Sequence, residues 1–242
     1  MRTIGLIGGL SWESSVEYYR ILNQGARARL GPLRSAQILM FSVDFGPIER
    51  AQHEGRWDDA AAILQDAARR LQAGGADCIV LCTNTMHKVA QAIAGSVSIP
   101  FIHIGDPLGE ACQRNGWRDV GLLGTGFTMR QPFLIDYLRE RYDVRLRVPT
   151  DSQCDLVHRV IYEELCAGIV SDASRRAYAE IIDSLAQRGA QAVALGCTEI
   201  GLLIGQKDSV LPVLDTTELH ALAALDFALS EREEGDAGLP RT

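Results

Sequence analysis

Gly75-Ala76-Asp77-Cys78-Ile79-Val80-Leu81-Cys82-Thr83 returns later in the chain as Gly189-Ala190-Gln191-Ala192-Val193-Ala194-Leu195-Gly196-Cys197-Thr198. Each stretch opens on Gly-Ala, runs through a short apolar segment and closes on Cys-Thr. A brief apolar run bounded by turn formers reads as a strand buried on both faces, as in a parallel sheet. Cys82 and Cys197 lie 115 positions apart. Upstream, Arg2-Thr3-Ile4-Gly5-Leu6-Ile7-Gly8-Gly9 is echoed 116 positions on by Arg118-Asp119-Val120-Gly121-Leu122-Leu123-Gly124-Thr125. Downstream, Ile99-Pro100-Phe101-Ile102 matches Leu211-Pro212-Val213-Leu214. Three matched blocks in one order indicate two copies of one unit.

The same pattern of short apolar runs predicts strands over 3–8, 36–43, 77–82 and 99–104, then over 119–124, 144–148, 191–196 and 210–214. Helical spacing of apolar residues predicts helices over about 13–29, 57–73, 85–94, 130–141, 153–167, 172–188, 198–205 and 217–231. Glu233-Glu234-Gly235-Asp236-Ala237-Gly238 reads as a frayed tail. Alternating strands and helices give an α/β protein: two pseudo-symmetric α/β domains, each with a central parallel sheet flanked by helices. Ligands of such sheets bind at the C-terminal strand ends, so the expected site is the cleft between the two copies.

Composition narrows the function. The chain has 242 residues, 47% of them hydrophobic, and a formal net charge of −7. Its basic residues are scattered, which argues against nucleic acid and anionic membranes as partners. No apolar run approaches the ~20 residues that span a bilayer. The sequence passes from Met1 straight into a strand with no signal-peptide pattern, so a cytoplasmic location is expected. Cys78, Cys82, Cys112, Cys154, Cys166 and Cys197 are then expected as free thiols. They show neither C-x-x-C nor zinc-ligand spacing, so no metal is expected. Lys88 and Lys207 are the two lysines, and neither sits in the context of a Schiff-base lysine. No cofactor is expected, pyridoxal phosphate included.

The chemistry concentrates at Cys82-Thr83-Asn84-Thr85 and Cys197-Thr198-Glu199, each closing a strand and leading into a helix. A thiol before a helix N-terminus is expected to have a lowered pKa. Two thiols related by a pseudo-two-fold axis would approach one ligand from opposite faces. Racemisation needs that arrangement, one base removing a proton and one acid returning it. A single cysteine at a strand end is ordinarily an inert core residue. Two in register across a repeat, both followed by Thr, favour the functional reading. Cys78, Cys112 and Cys154 read as packing or loop residues. Gly8-Gly9-Leu10-Ser11 is expected to bring backbone N–H groups, Gly9 among them, toward an anion. Thr125 and Thr128, in the counterpart loop, can hydrogen-bond a ligand, and Trp12 can wall the cleft or pack in the core. His87, five residues after Cys82, either tunes the thiol or points elsewhere.

Gly5-Leu6-Ile7-Gly8-Gly9-Leu10-Ser11-Trp12-Glu13-Ser14, Cys82-Thr83-Asn84-Thr85-Met86-His87 and Gly196-Cys197-Thr198-Glu199-Ile200 together resemble the aspartate/glutamate racemase family. The resemblance runs to about residue 230. It implies catalysis by Cys82 and Cys197 without pyridoxal phosphate, an amino-acid substrate, and a homodimer. It also implies that the C-terminal helix returns to the first domain, giving residues 1–104 plus 215–242 as one domain and 105–214 as the other. Glu199 is similar to the residue at that point in the aspartate-racemase branch. Arg50 aligns with an arginine resembling the family's carboxylate binder, and Gln52 beside it can reach polar substrate atoms. Thr83, Asn84, Thr85 and Thr198 fall in the substrate-binding motifs. One departure bears on the substrate. Aspartate-specific relatives often carry a lysine where this chain has Cys166, and without it a second buried carboxylate lacks a partner. A broader racemase accepting polar or neutral amino acids is therefore expected. Hydantoin racemases, maleate isomerases and arylmalonate decarboxylases share this architecture and remain as alternatives. A two-lobed binding module without catalysis is a further one.

Overall fold

The computed structural model describes residues 1–230 of the chain. The tail expected at Glu233–Gly238, and residues 231–242 of the expected first domain, lie outside the described residues. In the first half, β1 (Ile4–Gly8), β2 (Ile38–Ser42), β3 (Cys78–Leu81) and β4 (Phe101–Ile102) form a parallel sheet in the order β2-β1-β3-β4. In the second, β5 (Asp119–Gly124), β6 (Arg145–Arg147), β7 (Ala192–Gly196) and β8 (Val213–Asp215) repeat that order as β6-β5-β7-β8. The duplication read in the sequence is therefore a duplication of topology. The central strands β1, β3 and β7 are buried at every residue, as their unbroken apolar runs require. The outer strands β4, β6 and β8 shrink to two or three residues, shorter than the apolar runs that announced them.

The helices that pair with the central strands show why the repeat was visible. Helix α1 (Trp12–Leu30) packs on the first sheet. Helix α3 (Trp57–Ala73) buries Ala60, Leu64, Ala67, Ala68 and Leu71 along one stripe, with Asp58 and Asp59 in its first turn. Its counterpart α9 (Asp172–Gln187) buries Tyr178, Ile181, Ile182 and Leu185 and is capped by the Ser171 side chain. Both lead into the following strand through a glycine in the left-handed region, Gly75 at φ 94° and Gly189 at φ 92°. Residues with a Cβ adopt that conformation at a cost, so both copies keep Gly-Ala at this point.

Two helices were not legible in advance: α2 (Phe45–His53) and α5 (Gly105–Asn115). Each carries a glycine and a proline in its first turn, Gly46-Pro47 and Gly105-Asp106-Pro107. Those residues read as breakers, yet a first-turn proline loses no helical hydrogen bond. Other expected helices are divided or shortened. The 85–94 stretch is a 3₁₀ turn (Thr85–Val89) followed by α4 (Ala90–Ala94). The 130–141 stretch is α7 (Pro132–Tyr142), preceded by a short unexpected helix, α6 (Gly126–Arg130), from which it is separated where Pro132 starts a new helix. The expected 153–167 helix is α8 (Asp151–Glu163), which starts and ends earlier, and α10 (Ile200–Leu203) is a single turn.

The final helix, α11 (Thr216–Leu229), follows the last strand of the second half but buries Ala221, Ala224, Leu225 and Ala228 with Ile4, Leu6, Tyr18 and Leu22 of the first. Gly25 lets α1 and α11 approach closely: a Cβ there would sit 2.7 Å from Leu225 Cδ2. One apolar cluster lies largely in the second half and two in the first, one of which takes in this helix. Across the halves stand the Thr85–Thr125 hydroxyl contact, the Ser11–Glu199 hydrogen bond and the rings of His53 and Trp57 edge-on to Phe127. No helix among the described residues is long and apolar enough to cross a membrane.

Candidate active site

The C-terminal ends of β1 and β3 face those of β5 and β7 across a narrow cavity of about 60 Å³, room for a few waters at ~10–15 Å³ each. Leu10, Ser11, Ser14, Phe45 and Gln52 line it from the first half, with Thr83, Asn84 and Thr85 of the strand-end motif. The second half contributes Thr125, Ile161, Tyr162, Cys166 and the segment Gly196–Glu199. Among the described residues lining it there is no Lys, Arg or His, and Glu199 is the one carboxylate.

Cys197 and Glu199 form the polar centre. The Cys197 thiol donates to Glu199 Oε2 at 3.0 Å, while Glu199 Oε1 accepts from Ser14 Oγ at 3.2 Å and lies 2.9 Å from Ser11 Oγ, whose single proton it shares with Glu13 Oε2 at 3.0 Å. Ser11 caps α1 and Ser14 stands in its first turn, so the first half fixes the carboxylate of the second. Burial pushes the Cys197 thiol well above its ordinary pKa, and the adjacent Glu199 carboxylate pushes it further.

Opposite lies a belt of neutral donors. Thr85, Thr125 and Thr128 bring their hydroxyls within 3.1–3.4 Å of one another, joining the halves. Thr125 and Thr85 line the cavity, whereas Thr128 stands behind them, fully buried. Asn84 is held by Thr216, whose hydroxyl also lies 2.7 Å from the Leu195 carbonyl. One hydroxyl carries one proton, so Thr216 donates to Leu195 and accepts from the Asn84 amide. This leaves the Asn84 carbonyl oxygen and one N–H for a ligand. The Gln52 amide contacts Met86 Sδ at 2.7 Å.

Cys82 is placed differently from Cys197. Its N–H extends the ladder to Ile7 O at 3.0 Å, and the residue is wholly buried one position behind the Thr83 wall. Burial raises its thiol pKa. The expectation of lowered thiol pKa values is thus overturned at both positions. A 3₁₀ turn and a four-residue helix supply too little dipole to offset desolvation. His87 braces the wall rather than the thiol. Its Nδ1 lies 2.7 Å from the Thr83 carbonyl, and its Nε2 accepts from Ile104 N–H at 3.1 Å. That pair of partners fixes the neutral Nδ1–H tautomer.

Three expected site residues are elsewhere. Gly9, at φ 88°, spends its N–H on Ser15 Oγ at 2.8 Å, and a Cβ would collide with the Val43 carbonyl. It shapes the loop and leaves no donor for an anion. Trp12 is 66% exposed and lines an adjoining outer groove, which shares Ser14, Thr198 and Glu199 with the cavity, rather than the cavity wall itself. Arg50 is exposed and absent from the lining, because α2 turns Ile48, Ala51 and Gln52 inward and leaves position 50 on its other face. Thr198 does line the cavity. Ser11 was expected to act only through the backbone of its loop and Ser14 carried no expected role, although their spacing of three at a helix start places both side chains on one side. Phe45, Ile161 and Tyr162 carried no signal, since their helical faces became known only with the packing.

The profile of the Asp/Glu/hydantoin racemase family matches residues 7–224. The chain belongs to this family. Among solved racemase-family structures, a Yersinia pestis protein provisionally named an Asp/Glu racemase is 47% identical, with a TM-score of 0.90, covering 95% of this chain and 100% of that one. An aspartate racemase homologue from Pyrococcus horikoshii OT3 is 31% identical, with a TM-score of 0.84, covering 95% of this chain and 100% of that one. A glutamate racemase of Thermus thermophilus is 25% identical over an alignment of 189 residues that covers 73% of this chain. The match spans 65% of that curated relative's length.

Proposed function

We propose that the protein is an amino-acid racemase that works without pyridoxal phosphate, with Cys197 and Cys82 exchanging the α-proton on opposite faces of the substrate. The observation that carries this reading is the Cys197 thiol in a cavity between two duplicated sheets, with its repeat partner Cys82 behind the facing wall. One thiolate removes the α-proton, and the other thiol protonates the opposite face of the resulting carbanion. The α-carboxylate is received by Thr85, Thr125 and the free Asn84 N–H, as neutral donors can do in place of a guanidinium. Cys82 must come into contact with the substrate for this step. The hydroxyl contacts that cross the cavity, Thr85 with Thr125 and Ser11 with Glu199, support such a movement, because they can be exchanged for water as the cavity opens.

The substrate we infer is an amino acid with a neutral, small or polar side chain. Asp or Glu would bring a second carboxylate into a cavity that already holds Glu199 and has no cation among its described lining residues, an unfavourable desolvation. Comparing kcat/KM for aspartate, glutamate, alanine, serine and asparagine tests this. The uncharged substrates are expected to exceed the dicarboxylates, and strict dependence on aspartate or glutamate would refute the assignment. We further propose a cytoplasmic homodimer. The exposed stripe of Trp12, Val16 and Tyr19 on one face of α1 supports an interface.

A further inference from the structure

The two oxygens of Glu199 have unlike partners, and this carries a step that rests on the racemase reading. Oε1 is fixed by two hydroxyls of the first half, while Oε2 takes only the Cys197 S–H, at 3.0 Å. The carboxylate is 6% exposed, and none of the ion pairs among the described residues includes it. A buried anion held by neutral donors beside a ligand cavity is a receptor for a cation that the protein itself does not supply.

We propose that Glu199 is a latch on Cys197: in the free protein it keeps the thiol protonated, and the substrate's ammonium releases the thiol by taking Oε2. In the latched state a thiolate would stand against a carboxylate, so the S–H bond is kept. When an ammonium arrives, Oε2 exchanges the S–H hydrogen bond for an N–H one, and the positive charge now faces the sulfur. The S–H bond then breaks, its proton leaves to solvent water, and the electron pair stays on sulfur as the thiolate. The ammonium keeps all three protons. Activation thus requires an amino group, which separates amino acids from hydroxy acids and from unsaturated diacids at the first step. It also keeps an idle thiol poorly nucleophilic.

The test reads Cys197 alkylation by iodoacetamide, located by peptide mass spectrometry, in protein without substrate. In Glu199→Gln the alkylation rate at neutral pH is expected to rise roughly tenfold or more, with the pH midpoint lower by about one unit or more. In wild type, methylammonium chloride replacing potassium chloride at constant ionic strength is expected to accelerate alkylation roughly threefold or more. The same replacement should have no effect on Glu199→Gln. Equal rates and midpoints in the two proteins, or no response of wild type to methylammonium, would overturn the latch. The wild-type arm stands even if the variant folds poorly. Neither arm measures racemisation, so a failure of the racemase reading would show separately, as absence of α-proton exchange on every amino acid.

Discussion

Acidification from about pH 7 to about pH 4 loads His220 with a proton far more readily in the unfolded chain than in the folded one. His220 is fully buried on α11, where Tyr18 Oη lies 2.8 Å from its Nδ1 and the Ile102 carbonyl lies 2.8 Å from its Nε2. The carbonyl can only accept, so Nε2 carries the proton and Nδ1 accepts from the phenol. Both nitrogens are spoken for by a neutral ring. Burial lowers the imidazole from its ordinary 6.5 to about 4. Because the folded value lies below the unfolded one, this contribution to stability is intact above about pH 6.5. It is lost as pH falls, and the loss levels off below about pH 4. At about 1.4 kcal/mol per unit, the loss is about 1.4 kcal/mol near pH 5.5 and roughly 3 kcal/mol near pH 4. Urea unfolding of wild type and His220→Gln at several pH values reads this contribution together with its smaller coupling to His87 and His103 nearby. The variant is expected to be less stable at neutral pH and to lose roughly 3 kcal/mol less on acidification. Parallel stability curves across that window would refute the assignment of a neutral, buried His220.

Other expected outcomes follow from the same geometry. In native protein without substrate, Cys197 should be alkylated well before the buried Cys82, and faster labelling of Cys82 would contradict the covered wall. Gly189→Ala forces an L-residue into φ 92° and is expected to cost about 1–2 kcal/mol in urea unfolding. A cost near zero would show that the turn relaxes. Ser11→Ala removes one of the two hydroxyls on Glu199 Oε1 together with the N-cap of α1, so it should lower kcat/KM by roughly a factor of ten and cost about 1 kcal/mol in urea unfolding. Val16→Glu places a charge in the exposed stripe of α1 and is expected to shift the protein from dimer to monomer in light scattering. An unchanged mass would move the interface elsewhere.

Much of this architecture was legible because the duplicated signals are local and strong. A buried parallel strand has to be a short apolar run, and the left-handed glycines Gly75 and Gly189 mark both copies of its entrance. The thiols were found through that register rather than through their own neighbours. Helices α2 and α5 escaped because Gly46-Pro47 and Gly105-Asp106-Pro107 read as turns until their first-turn placement is known. The site was harder. Whether Arg50 enters the cavity depends on the rotation of α2, which Ile48 and Ala51 decide by packing against residues far along the chain. The thiol environment was misjudged for a similar reason: the expected helix dipoles depend on helix length, and desolvation depends on the whole wall. Ser11 and Glu199 meet across 188 positions, a contact that no local pattern announces.

Transfer of the α-proton by the two thiols can be followed as α-proton exchange in D₂O. Single L-amino acids are incubated with wild type, Cys82→Ala and Cys197→Ala without added cofactor. Proton NMR follows loss of the α-signal, and chiral chromatography follows the D-enantiomer. Wild type is expected to give deuterated product of the opposite hand, and each variant to lose racemisation by ~10²-fold or more. Undiminished racemisation in either variant, or no exchange by wild type on any amino acid, would contradict the two-thiol account.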